Sequence, residues 1–232
     1  SARAGDALLC LKEVGLLEQL LPEVWAMHGT PQPPQFHPEG DVLVHTALML
    51  NQMEHTSPRL AWSVLLHDVG KPPTMTDNTD RIRFNGHPEV GGDIAAQILR
   101  RLRFANDDID FIVACVRGHM RTMSVPHMRR ATLRRMVGAP TFPVELELHR
   151  LDCLGSHGDL TNYDILVAFE KAMANEPVLP PPWITGRDIM ALGVPEGRQV
   201  GSWLREAYEA QLESRFPDRE SLWAWLTGEI KG

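Results

Sequence analysis

Apolar residues recur at spacings of three and four along most of this chain, which is the pattern of amphipathic helices. Sustained polar/apolar alternation, which would indicate half-buried strands, is nearly absent. The sequence therefore predicts an all-α fold, a helical bundle with a small C-terminal helical appendage. One or two helices are expected over residues 8–27, and further helices at 42–52, 58–68, 88–102, 107–116, 128–137, 144–154, 162–173, 187–192, 199–212 and after 218.

Two proline-rich stretches divide the chain. Residues 31–38 and 175–183 contain four prolines each, and proline is disfavoured inside helices. These stretches predict a helical lead-in at 1–40, a main domain at 41–175 and an appendage at 176–232. The polar segment 72–85 is expected to be a loop, and loops of that length in compact domains often carry function.

Composition argues against several classes of protein. No run of residues is long and apolar enough to span a bilayer, and the three cysteines are scattered without a CxxC pair. We therefore expect no membrane contact, no disulfide framework and a reducing, cytoplasmic location. The net charge of −7 opposes nonspecific binding to nucleic acid, although arginines cluster locally. Composition leaves the oligomeric state open, and the start at Ser1-Ala2-Arg3 is compatible with a piece of a longer protein.

Histidine and aspartate residues occupy positions that separate helices could bring together. The apolar run that begins at Ser63 ends in His67, Asp68 and Gly70, so two adjacent metal-competent side chains fall where the glycine is expected to end a helix. The other candidate metal ligands are His45, His87, His119 and Asp152. A nitrogen and oxygen set without thiolates suits one or two ions of Mn, Ni, Co or Fe at least as well as Zn or Mg.

A divalent ion in such a site would lower the pKa of a bound water, which favours hydrolysis of a phosphate ester. Asp68 is the most informative of the ligands because its carboxylate could serve one ion or be shared by two. Lys71, Arg83 and Arg121 are candidates to neutralise charge that builds on the phosphoryl oxygens. Taken singly, each of these cations is more commonly a solvated surface residue.

The remaining histidines are interpreted as ordinary packed or surface residues, because a lone histidine is seldom a ligand. These are His28, His55, His127 and His157. His149 lies three residues before Asp152 and so shares its helix face, which favours a supporting role beside the ligands.

The order of these residues resembles a known pattern. His45, then His67-Asp68 followed by Gly70-Lys71, then Asp152, is similar to the H…HD…D pattern of the HD superfamily of metal-dependent phosphohydrolases. Further stretches resemble the C-terminal half of bacterial CCA-adding enzymes, which are tRNA nucleotidyltransferases with an HD domain behind their polymerase head. The stretches are Phe36-His-Pro-Glu-Gly-Asp41, Gly86-His-Pro-Glu-Val-Gly91, Leu151-Asp-Cys-Leu-Gly-Ser-His-Gly-Asp159 and Ile184-Thr-Gly-Arg-Asp188.

The resemblance implies that residues 41–175 are an HD phosphohydrolase domain with a first metal held by His45, His67, Asp68 and Asp152. His87 and His119 match positions that hold a second ion in some HD proteins, or they line the substrate pocket; both interpretations stay open here. The implied activity is phosphodiesterase or phosphatase action on small substrates such as 2',3'-cyclic nucleotides. The Gly-Ser turn and paired aspartates of the polymerase head have no counterpart in the sequence.

Two alternatives remain at this point. The chain could be the RNA- or tRNA-binding portion of a CCA-adding-type enzyme with a non-catalytic HD site. The features that favour this are the appendage and a run of arginines, namely Arg129, Arg130, Arg134 and Arg135. The appendage could instead be a dimerisation element, since it is rich in aromatic residues, namely Trp203, Tyr208, Trp223 and Trp225.

Overall fold

The computed structural model describes residues 3–33, 38–55, 57–78 and 81–232. Nearly all regular structure in these ranges is helical, so the all-α prediction is confirmed. The helices are α1 Ala4–Glu13, α2 Leu16–Leu20, α3 Pro22–Trp25, α4 Val42–Asn51, α5 Pro58–Leu66, α6 Lys71–Thr74, α7 His87–Arg101, α8 Asn106–Gly118, α9 Arg130–Val137, α10 Phe142–Gly155, α11 Thr161–Ala172, α12 Gly186–Ala191, α13 Arg198–Leu212 and α14 Arg219–Lys231, with a 3₁₀ helix at His119–His127.

The chain folds as two compact units. The first comprises the described parts of Ser1–Val125 together with Pro140–Ile165, and the second comprises Pro126–Ala139 together with Leu166–Gly232. The predicted domain boundaries near residues 40 and 175 remain a prediction about domain organisation. None of the helices in the described ranges has the length and apolar character needed to cross a membrane.

Local sequence signals explain where the helices of the first unit begin. Asp41 precedes α4, and its Oδ1 accepts a hydrogen bond from the Val44 amide at 2.9 Å. Ser57 does the same for α5, because its Oγ accepts from the Leu60 amide at 3.1 Å, and a proline follows at the first helical position. Both caps satisfy amides that have no partner within the helix.

The lead-in contains three short helices, where one or two were predicted. Gly15 separates α1 from α2 with a φ of 75°, a left-handed conformation that glycine adopts without steric cost. Pro22 then starts α3, since proline is well accommodated at the first helical turn. The buried side chains Leu8, Leu17, Val24 and Met27 pack these helices onto the core of the first unit.

The segment that was predicted to be a loop at 72–85 contains α6 and a small hairpin. Strand β1, Thr76–Asn78, pairs antiparallel with β2, Arg81–Arg83, and Thr76 lies opposite Arg83. Each strand is only three residues long, and β1 is wholly polar, so the pair is too short to show the sustained alternation that identifies strands in a sequence. Residues 79–80 of this segment and 34–37 of the proline-rich stretch lie outside the described residues.

The core of the first unit is built from α1–α5, α7, α8 and α10. Leu66, Ile98, Leu99, Ile112 and Leu151 are among its fully buried side chains. Each such side chain contributes roughly 1.5–3 kcal/mol when it leaves water. The turn between α5 and α6 packs against this core through Val69, which is buried in it.

The second unit has its own apolar core, in which Ile189, Leu222 and Leu226 are buried. Trp203, Trp223 and Trp225 pack against it partly buried. A capping box starts α12, since Thr185 Oγ1 and the Asp188 carboxylate each bond the other residue's backbone amide. The tryptophans therefore have packing partners within their own unit.

Candidate metal centre

A helix end places His67 and Asp68 in the interior of the first unit. Helix α5 ends at Leu66, His67 is its C-cap residue, and Asp68 follows in the turn. Both side chains are buried, with 1% exposure each. As the sequence predicts, the apolar face of α5 delivers two metal-competent side chains to the core where the helix stops.

Gly70 lets this turn approach the backbone of α7. A Cβ atom on Gly70 would lie 2.2 Å from the carbonyl oxygen of His87 and 2.6 Å from the amide nitrogen of Gly91. Its φ of −84° is accessible to any residue. The glycine is therefore required by the close approach of two backbones, and it is not what ends α5, contrary to the expectation from the sequence.

The six candidate metal ligands fall into two groups. Within each group, one ligand atom from every residue lies within 4.8 Å of the others. The first group is His45, His67 and Asp152, and the second is Asp68, His87 and His119. The structure thus brings together all six residues that the sequence indicated.

Asp68 belongs to the second group and also contacts a member of the first. Its Oδ2 is 3.1 Å from Nε2 of His67, a member of the first group. Its Oδ1 is 3.5 Å from Nε2 of His87 and 3.8 Å from Nε2 of His119. Burial raises the pKa of this carboxyl, but the nearby His67 and Lys71 charges outweigh that effect and hold the pKa well below its usual range. Asp68 is therefore an ionised carboxylate that can serve both groups.

Three of the four histidines are oriented by backbone carbonyls. His67 and His119 follow the last residues of α5 and α8, and His87 is the first residue of α7, so nearby carbonyls are not used by a helix ladder. Each Nδ1 donates to the carbonyl three residues earlier, so Nε2 is the ring nitrogen that remains available to a metal ion. The distances are 2.8 Å to Val64 O, 2.9 Å to Phe84 O and 2.6 Å to Val116 O.

His45 lies inside α4 and contacts two carboxylates. Its Nε2 is 3.0 Å from Asp152 Oδ1, and its Nδ1 is 2.7 Å from Glu39 Oε1. Burial lowers the pKa of the ring, but the hydrogen bonds to Asp152 and Glu39 outweigh burial and raise the pKa to about 9. In the metal-free protein, Nε2 of His45 therefore carries a proton on the side where a metal ion would bind.

The second group shows a close approach that a cation would relieve. His87 Nε2 and His119 Nε2 are 3.1 Å apart. Burial lowers the pKa of His87 and lowers that of His119 to about 4, so both rings are neutral at pH 7. With both Nδ1 atoms donating to carbonyls, two lone pairs face each other beside the Asp68 carboxylate. This donor set fits a divalent cation, which accepts both lone pairs.

Lys71 is a buried cation at the edge of the site. Its Nζ is 2.7 Å from Asp68 Oδ2 and donates to Gln32 Oε1 at 2.6 Å. The ammonium also lies 5.5 Å from the centre of the Phe84 ring. Of the three cations that the sequence indicated, Lys71 has a direct contact with a candidate ligand.

The other two predicted cations have different surroundings. Arg121 makes two hydrogen bonds to the buried Glu145, at 2.9 and 2.8 Å, and Thr141 donates to the same carboxylate at 2.6 Å. Arg83 lies on β2, opposite Thr76. No local sequence signal indicates this partner of Arg121, because Glu145 is 24 residues away.

His149 lies next to the ligands and outside both groups. Its Nδ1 is 3.1 Å from Thr122 Oγ1, and Cys153 Sγ lies 3.7 Å from the same atom. Burial lowers the pKa of His149. Neither of these partners is a candidate ligand, so the supporting role of His149 beside the ligands stays a prediction.

Comparison with known proteins assigns part of the chain to a family. Residues 41–154 match the model of the HD domain. The chain carries an HD domain. This domain points to the superfamily of metal-dependent phosphohydrolases, whose members bind divalent metal ions. The matched range contains all six candidate ligands and ends just after Asp152.

The chain is also homologous to tRNA nucleotidyltransferases, as the sequence analysis expected. It is 34% identical to an A-adding tRNA nucleotidyltransferase of Deinococcus radiodurans over 224 residues, 91% of this chain and 51% of that protein. It is 33% identical to a CC-adding tRNA nucleotidyltransferase of Thermus thermophilus over 235 residues, 97% of this chain and 53% of that protein. The chain thus spans about half the length of these two relatives.

Sequence reasoning did not single out Glu39 and Gln32, although both contact the site. They belong to the stretch that precedes α4, and they reach His45 and Lys71 only through the fold. Neither shares a helix with its partner, so no periodic spacing connects them. Glu39 lies within the stretch Phe36–Asp41 that resembles the CCA-adding enzymes, and this resemblance was the one signal that pointed to it.

Proposed function

We propose that this protein is a metal-dependent phosphoric ester hydrolase that acts as a phosphodiesterase, a phosphatase or both. The observation that carries the proposal is the pair of His/Asp groups connected by the Asp68 carboxylate, in which every residue except the partly exposed Asp152 is buried. Burying polar and charged side chains costs free energy that apolar packing does not return, so the convergence of these residues favours a ligand-binding role. The HD domain supports the same chemistry.

In the proposed site, His45, His67, Asp68 and Asp152 would hold one divalent ion. Asp68, His87 and His119 would hold a second. When bound, the metal would polarise a phosphoryl oxygen and lower the pKa of a water nucleophile. The metals favoured by these nitrogen and oxygen ligands are Mn, Ni, Co and Fe, with Mg and Zn as further candidates.

The chain's own contribution is to orient ligands and to place positive charge. The backbone carbonyls that accept from three histidines keep a proton on each Nδ1, so that Nε2 is the atom left to bind a metal ion. Lys71 holds a buried ammonium beside Asp68, where it can stabilise negative charge that develops on a phosphoryl oxygen. Arg83 and Arg121 are further candidates for this role, and Arg121 would have to leave Glu145 to fill it.

The substrates we propose are small phosphate esters, with 2',3'-cyclic nucleotides as the first to test. The resemblance to HD domains of CCA-adding enzymes is the support for this class. The charge of Lys71 and the cationic ions would suit the phosphate, while the fold leaves the rest of the substrate unspecified.

Hydrolysis of bis-p-nitrophenyl phosphate and of 2',3'-cyclic AMP tests the proposal. Protein stripped of metal should be inactive and should regain turnover when Mn, Ni, Co or Fe is restored. Asp68→Asn keeps the size of the side chain and removes its charge, so it should abolish turnover with every metal. His55→Ala is the matched control, since His55 is an exposed histidine outside both groups. Folded wild-type protein that stays inactive with all of these metals would overturn the proposal.

The second unit gives little support to the alternative of an RNA-binding segment with a non-catalytic HD site. Its four clustered arginines have partners within that unit. Arg129 and Arg135 pair with Glu209, and Arg130 lies 3.5 Å from Glu176. Arg134 is buried, and its guanidinium donates to two backbone carbonyls.

The two relatives described above are named as tRNA nucleotidyltransferases. RNA contact therefore remains the competing proposal for this chain. RNA binding that falls steeply with salt and persists in the inactive Asp68→Asn variant would favour it.

A further inference from the structure

We propose that Glu39 is a positioning residue of the metal centre, which orients His45 so that its Nε2 faces the ion. The inference rests on the metal site of the proposed function. It adds a residue that sequence reasoning did not identify and that lies before the stretch matched by the HD-domain model.

The position of His45 within α4 creates a need for an outside acceptor. The other three histidines stand at helix ends and use nearby carbonyls. For His45, the carbonyls one turn back are engaged. Asp41 O accepts from the His45 amide at 2.9 Å, and Val42 O accepts from Thr46 Oγ1 at 3.0 Å. An acceptor for Nδ1–H must therefore come from a side chain outside the helix.

Glu39 provides that acceptor in a buried position. Its Oε1 is 2.7 Å from His45 Nδ1, and its side chain is 6% exposed while that of His45 is 0% exposed. A carboxylate accepts but does not donate, so it can pair only with a protonated Nδ1. The contact thereby keeps a proton on Nδ1, so that when a metal ion displaces the other proton it is Nε2, the atom on the side of Asp152, that is left to bind.

The segment that carries Glu39 is held firmly at both ends. The Gln32 amide donates to Gly40 O at 3.0 Å, and the Val42 amide donates to Thr30 O at 3.2 Å. The Asp41 side chain adds further hydrogen bonds. Its Oδ2 accepts from the Gly29 amide at 2.6 Å, and its Oδ1 caps α4. Glu39 is therefore placed by the hydrogen bonds of the residues that follow it, Gly40 and Asp41.

Gln32 connects Glu39 with the buried lysine. Its Nε2 lies 3.5 Å from Glu39 Oε1, and its Oε1 accepts from Lys71 Nζ. One neutral amide thus contacts a carboxylate and an ammonium, which fixes which end of the amide faces each partner. Gln32 and Glu39 thus support the cation beside Asp68 and one candidate metal ligand.

Two substitutions of nearly equal size separate orientation from simple packing. Glu39→Met keeps the length of the side chain and removes the acceptor, whereas Glu39→Gln keeps an amide oxygen that can accept from Nδ1. We expect Glu39→Met to bind Co(II) about 10–100-fold more weakly than wild type, in competition with a chromophoric chelator. Glu39→Gln should recover most of that loss. Glu23→Gln, which alters a carboxylate paired with Arg101 away from the site, should bind as wild type.

Affinity of Glu39→Met equal to wild type, or an equal loss in both Glu39 variants, would overturn the inference. If Glu39→Met fails to fold, long-range ¹⁵N NMR of histidine in the zinc-loaded wild type decides the matter. The inference predicts that His45 is protonated at Nδ1 and bound to metal through Nε2, and metal on Nδ1 would overturn it. Neither readout uses turnover, so a protein that binds metal in this way but hydrolyses no ester would refute the proposed function alone. Wild type that binds no metal would overturn both.

Discussion

Replacing Gly70 by alanine would place a methyl carbon 2.2 Å from the carbonyl oxygen of His87 and 2.6 Å from the amide nitrogen of Gly91. Both atoms belong to the backbone of α7, so no side-chain rotation relieves the contact. The turn that carries Asp68 must then move away from α7. We expect a loss of roughly 1–3 kcal/mol or more in unfolding free energy, as for other overpacked interiors.

The same displacement should weaken metal binding, because Asp68 and His87 lie on the two backbones that separate. Urea unfolding followed by circular dichroism measures the first effect, and competition for Co(II) with a chelator measures the second. Gly228→Ala is the control, since a Cβ there has no neighbour within 4 Å and the residue lies inside α14. It should be neutral or stabilise by roughly 0.5–1 kcal/mol. Gly70→Ala with wild-type stability and wild-type Co(II) affinity would refute the close approach.

Three further predictions concern the support of the site, the core and the second unit. Gln32→Leu removes an acceptor from the buried Lys71 ammonium and should cost about 1–3 kcal/mol in urea unfolding. An unchanged midpoint would contradict that contact. Leu99→Ala, at a fully buried position, should cost about 2–5 kcal/mol in the same assay, and a loss under 1 kcal/mol would contradict its place in the core. Asp188 accepts hydrogen bonds from the backbone and side chain of Thr185, and these bonds lower the pKa of the Asp188 carboxyl. The stabilising effect of Asp188 is therefore complete above the unfolded pKa of about 3.9 and is lost as pH falls through the folded pKa. Acid unfolding between about pH 5 and 2 should therefore be less steep in Asp188→Ala than in wild type, and identical pH profiles would contradict the contact.

The helices and the candidate ligands were accessible from the sequence because they leave local signals. Asp41 and Pro58 mark the starts of α4 and α5, and the apolar spacing between them predicts the buried faces. His67 and Asp68 were recognisable because an apolar run rarely ends in two metal-competent residues. Residue type and order were sufficient for these features.

Features that depend on distant contacts could not be predicted. The pairing of Arg121 with Glu145 and the contact of Glu39 with His45 each join separate elements, and no periodicity records them. The role of Gly70 was misjudged for a related reason. Its local conformation is ordinary, and only the position of α7 shows why a side chain is excluded.

Anomalous X-ray diffraction from crystals of the manganese-loaded protein would test the central claim most directly. The account predicts a manganese peak bound by His45, His67, Asp68 and Asp152, and a second at Asp68, His87 and His119 if both groups fill. A single peak at the first group would still agree with the account. Manganese bound elsewhere, with no peak beside Asp68, would contradict it.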